Sequence, residues 1–172
     1  MNSTDRSFVI EAVMLAAYGE LLVPSREVTY FVPYSSIGEL YELLECGDPI
    51  MPDEDDDAYV KERIKEFIAF LEEPFNAKKL ERALAMPWRQ SPPLLLNDKT
   101  RLVVVSAMDN GEYGENFDPI ETELLLLSLR NHTPLLTDQF ELIEKVIEAA
   151  IPVQVVDLED FEFALEEGLP DL

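Results

Sequence analysis

From residue 118 onward the chain alternates helical and extended patterns: an apolar helix over 119–130, a short strand at Leu135 and Leu136, a helix over 139–149, a strand over 153–156 and a last helix over 160–167. Antiparallel neighbours need only a tight turn, whereas parallel neighbours need a crossover of about a dozen residues or more, usually a helix. The alternation therefore predicts an α/β fold, a three-layer α/β/α arrangement around a central, mainly parallel sheet. Leucines at 124, 125, 126, 127 and 129 make the first of these helices apolar nearly all round, so it is expected between the sheet and other helices.

Upstream, Val-Thr-Tyr-Phe-Val at 28–32 is β-branched and aromatic and stops at Pro33, as a strand does. Ser35 and Ser36 then offer caps for a helix with Ile37, Leu40, Tyr41 and Leu44 on one face, ended by Gly47 and Pro49. Val60, Ile64, Phe67, Ile68 and Leu71 outline a second amphipathic helix; Leu80, Ala83 and Leu84 outline a shorter third, closed by Pro87, Pro92 and Pro93. With 172 residues and 47% hydrophobic side chains, one core is affordable, so the expectation is a single domain over 1–172 with a helical insertion at about 53–93. The apolar run 102–105 suits a buried strand. The first segment admits two readings. The preferred one runs from strand to helix within 8–14 and ends near Gly19; the other is one helix over 4–22, capped by Ser3 or Thr4.

Thirteen Lys and Arg stand against 36 Asp and Glu, a formal net charge of −23, which repels nucleic acid unless basic residues are grouped locally. Cys46 is the only cysteine, which removes an intramolecular disulfide and a cysteine-rich zinc site. The apolar stretch 8–22 is interrupted by Glu11 and Glu20, lacks a basic leader and is too short to span a bilayer, so a soluble cytoplasmic protein is expected. The acidic run 53–57 reads as a solvated loop leading into a helix, not as a calcium loop, since the ligand spacing and the glycine are missing.

Carboxylates recur where strands run into helices: Glu39 after Pro33, Asp118 and Glu121 around Pro119, and Asp138 after Leu135-Leu136-Thr137. Capping explains any one of them, because Ser36 to Glu39, Asp118 to Glu121 and Asp138 to Glu141 all have capping-box spacing. In a parallel sheet, however, such junctions lie along one edge, where Glu11 adds a fourth acid if its segment is a strand. Carboxylates crowded there raise one another's pKa unless a hard cation, Mg²⁺ or Mn²⁺, neutralises them. A cation so held can activate water and clamp the leaving oxygen of a phosphodiester.

The C-terminal third, Glu121-Thr-Glu-Leu-Leu-Leu-Leu-Ser-Leu-Arg-Asn-His-Thr-Pro-Leu-Leu-Thr-Asp138, resembles the PIN-domain family: an acid opening an apolar helix, the small Ser128 seven residues on, a polar turn, a Pro-Leu-Leu-Thr strand and an acid. Phe31-Val-Pro-Tyr-Ser-Ser-Ile-Gly-Glu39-Leu resembles the family's second strand and helix acid, and Phe8-Val-Ile-Glu11 takes the place of its first strand. The resemblance covers roughly 1–45 and 118–160. It implies a small α/β fold and a metal-dependent ribonuclease with Glu11, Glu39, Glu121 and Asp138 as catalytic metal ligands, Glu123 as a spare, and Mg²⁺ or Mn²⁺ as cofactor. Two departures matter: Glu11 stands where the family shows Asp, and Gln139 stands where its last acid sits, with Asp138 one residue earlier. A one-residue shift at a helix start swings a side chain by about 100 degrees.

The lone His132 reads as a turn residue, the six glycines form no phosphate-binding loop, and there is no nucleophile elbow. Trp88 beside Arg89, downstream of Lys78, Lys79 and Arg82, offers a ring on which a base could stack, though a Trp finishing a helix packing explains it more simply. Two functions follow: a metal-dependent phosphodiesterase acting on RNA, or a catalytically inactive PIN-like module that binds a protein partner through its acidic surface. Neither involves a membrane.

Overall fold

The computed structural model describes residues 6–108 and 116–168. Strand β1 (Arg6–Val9) runs into helix α1 (Ala12–Ala17), so the continuous helix over 4–22 does not form. A 3₁₀ turn leads to β2 (Val28–Pro33) and α2 (Tyr34–Cys46), which ends on Gly47 at φ 72°, a left-handed conformation that glycine adopts without a Cβ clash. Helix α3 (Glu54–Glu72) begins at its cap Asp53, and α4 (Pro74–Leu84) follows at once. Then come the short β3 (Leu94–Leu95), β4 (Thr100–Val105), α5 (Pro119–Asn131), β5 (Leu135–Thr137), α6 (Phe140–Glu148), β6 (Val155–Asp157) and α7 (Phe161–Glu167).

The sheet order is β3-β4-β2-β1-β5-β6, parallel throughout except for β3, which pairs antiparallel with β4. Side chains alternate across it, as strand geometry requires. Phe8, Ile10, Tyr30, Leu102 and Val104 enter one core with helices α1, α2, α3 and α7; Val9, Val103, Val105 and Leu135 enter a second with α5 and α6. The three-layer α/β/α expectation holds. Helix α5 packs on β1, β2 and β5 and is buried from Glu121 through Ser128, and each large apolar side chain buried this way stabilises by about 1.5–3 kcal/mol.

Two local expectations are corrected. The last strand starts at Val155 instead of 153, because Pro152 has no N–H to donate and the Val153 N–H turns back to the Ile151 carbonyl at 2.8 Å. Ser36 does not cap α2, whose first residue is already Tyr34; it lies inside the helix, 1% exposed, with a different partner described below. Among the described residues no helix is long and apolar enough to cross a membrane.

A carboxylate cluster at the topological switch point

From the central β1 the chain builds outward to β2 and β4 on one side, then returns to lay β5 and β6 on the other. In open α/β sheets, the crevice outside the carboxyl ends of the two strands flanking such a reversal is the usual place for a ligand. Glu11, just past the end of β1, and Asp138, just past the end of β5, both lie there.

Glu11 is the N-cap residue of α1, yet its carboxyl makes no capping bond. The capping is delegated: the Ala12 N–H donates to Ser36 Oγ at 2.7 Å, across from α2. Freed from that duty, the Glu11 side chain turns into the cluster. It is 7% exposed, accepts from Gln139 Nε2 at 2.8 Å, and hydrogen-bonds Glu39. Its pKa is pushed up to about 8, first by burial, then by Glu39, Asp138, Asp118 and Glu121. Glu39 is also raised, first by burial and then by Asp118 and Glu42, while its hydrogen bond with Glu11 pulls the other way. Glu11 is thus the protonated partner and donates to Glu39.

Asp138 does not cap α6 as its spacing suggests. Gln139 is the N-cap residue, its own N–H bonded to Thr137 Oγ1 at 3.1 Å, which leaves Asp138 one residue outside the helix and exposed. Its Oδ2 accepts from the Tyr18 hydroxyl at 2.5 Å; burial and then this bond raise the Tyr18 pKa to about 12.

The third junction is the capping box that the spacing implies. Asp118 Oδ1 accepts from the Glu121 N–H at 2.7 Å, and Glu121 Oε1 accepts from the Asp118 N–H at 3.0 Å. Glu121 Oε1 also takes an ion pair from Lys145 Nζ at 3.0 Å. Glu123 is directed to the first turn of α2, where Ser35 Oγ donates to it. Glu11, Glu39, Glu121 and Asp138 are therefore brought to one edge, with Asp118 among them. Among the described residues, no group of three or more His, Cys, Asp or Glu side chains is drawn in tightly enough to ligate one ion.

In the sequence Asp118 reads only as a cap, and Tyr18, Lys145 and the Ser36 bridge have no local signal. Gln139 was legible as the residue standing where an acid was expected. Elsewhere, His132 ends α5 in a left-handed conformation, as a turn residue does, and one face of Trp88 is covered by the Arg130 guanidinium at 4.2 Å. No protein-family model matches the chain, and no curated protein matches it.

Proposed function

We propose that the cluster is a Mg²⁺ or Mn²⁺ site and that the protein is a cytoplasmic, PIN-like phosphodiesterase acting on RNA. The observation that carries this reading is Glu11: a buried carboxyl at the switch point of a parallel sheet, its pKa pushed up by burial and then by the acids around it. A hard, all-oxygen donor set with surplus negative charge fits such a cation. Glu11, Glu39 and Asp138 would hold it, with Asp118 and Glu121 adding negative charge behind them. Bound there, the cation supplies Lewis-acid polarisation of a phosphodiester and a more acidic water. The chain's own groups do the rest. Gln139 and Tyr18 orient Glu11 and Asp138, and the Glu11 carboxyl releases its proton as the site is neutralised.

One pair of contacts favours the second reading, an inactive PIN-like module that binds a protein partner. Lys145 already offsets the charge of Glu121, and the Gln139 amide already occupies an oxygen of Glu11. Melting with millimolar Mn²⁺ separates the two. A ligand at a hundredfold excess over Kd adds about 2.7 kcal/mol of stability. The phosphodiesterase reading expects Mn²⁺ to raise the melting temperature of the wild type, Glu11→Gln and Glu39→Gln to abolish the rise, and Glu62→Gln on exposed α3 to leave it unchanged. Equal responses from all four would leave only diffuse attraction to a −23 surface and would favour the inactive module.

A further inference from the structure

Two helices on opposite halves of the sheet each leave an unpartnered stripe, and the stripes are opposite in charge. Helix α4 packs toward β4 and contributes Leu80 to the first core; α6 packs toward β5 and contributes Leu142 and Val146 to the second. They therefore sit on opposite faces and opposite halves of the sheet.

On α4 and the turn after it, Phe75, Leu84 and Met86 are 81%, 47% and 57% exposed. Beside them lies an open groove of about 400 Å³ lined by Lys78, Glu81, Arg82, Ala85 and Arg89. None of Lys78, Arg82 and Arg89 has a carboxylate at ion-pair distance among the described residues. This cationic island stands out on a chain of net charge −23. On α6, Phe140 and Ile147 are 68% and 71% exposed and share the outer face with Glu141, Glu144 and Glu148. Those acids likewise have no basic partner among the described residues.

We infer that the α4 face of one copy of this chain docks on the α6 face of another, head to tail. Like stripes pair poorly across a two-fold axis, since α4 on α4 sets three basic side chains and a single Glu81 against their own copies, and α6 on α6 sets glutamate against glutamate. Unlike stripes pair both charge and apolar surface. Arg, Met and aromatic residues are the side chains enriched at protein interfaces, and exposed Leu84 and Met86 have no use in a phosphate-binding groove. Because the two faces point away from each other, the contact does not close on two copies: it continues into a chain or a ring.

Sedimentation velocity on the full chain tests this up to about 1 mM, the limit of weak specific contacts. The wild type should grow with concentration past the dimer. Arg82→Glu with Arg89→Glu should give monomers, and so should Glu144→Lys with Glu148→Lys. An equimolar mixture of the two double variants sets native α4 against native α6 and charge-reversed α4 against charge-reversed α6, so growth past the dimer should return. That outcome also shows that both variants are folded. A wild type that remains monomeric, or that stops at a dimer, overturns the inference, as do double variants that assemble like the wild type. A monomeric wild type whose groove retards a single-stranded oligonucleotide, with the retardation lost in the arginine variant, would also overturn it and assign α4 to nucleic acid. The melting response to Mn²⁺ is read separately, so the two proposals fail independently.

Discussion

Ahead of α5, Asp118 holds the Glu121 N–H, Glu121 holds the Asp118 N–H, and Lys145 offsets the remaining charge. Ahead of α1, Glu11 occupies the same N-cap station and caps nothing, because Ser36 reaches across from α2 to take the Ala12 N–H. At α5 the acids are consumed by the helix they begin. At α1 another residue does the capping, and the acid is left buried among its own kind with a pKa near 8. What an acid at a helix start is for depends on whether something else satisfies the helix.

Three substitutions press on that contrast. The largest effect is expected for Glu11→Gln. Its carboxyl has a folded pKa of about 8 against an ordinary value of 4.5, so it contributes fully where it is protonated in both states, below about pH 4.5. That contribution is lost as pH rises through 8. Gln keeps the shape and both hydrogen bonds without the charge. In metal-free buffer it should stabilise the protein at pH 8 by on the order of 4 kcal/mol and flatten the fall in stability between pH 4.5 and 8. Urea melts across that range measure it. A variant with the wild-type slope would show that Glu11 is not the crowded group.

Ser36→Ala comes next. It leaves the Ala12 N–H without its partner in a buried setting, a loss of about 1–3 kcal/mol by chemical denaturation. Little change would mean that Glu11 can turn back and cap α1, and the Glu11 pH dependence should then shrink in the same variant. Asp118→Ala is the smallest of the three. It removes an ordinary helix cap at about 1 kcal/mol, and its slope with pH between 4.5 and 8 should become shallower, because one source of repulsion on Glu11 and Glu39 is gone.

The capping box at Asp118 was legible because its members are neighbours in sequence, and the strand at β4 was legible because a central parallel strand reads as an unbroken apolar run. Ser36 had the spacing of a cap and is one, but for a helix 24 residues earlier, a contact that exists only once β1 and β2 lie side by side. Asp138 failed as a cap for a local reason: Thr137 supplied the turn that let α6 begin one residue later. The two-residue β3 left no periodicity to read. The acidic edge itself was visible from the order of strands and helices; which of its acids would be spent on structure was not.

Strand β1, the first of the six strands in sequence, lies at the middle of the sheet, and its neighbour on one flank is β5, met through Val9 and Leu135. Phe8 finds its aromatic partner later still, in Phe161 at 5.5 Å. The first strand therefore waits for β5 before both its edges are satisfied. Assembly dominated by such distant pairings is slow, and until β5 is in place the folding chain shows an open sheet edge and the leucines of α5 to whatever surrounds it.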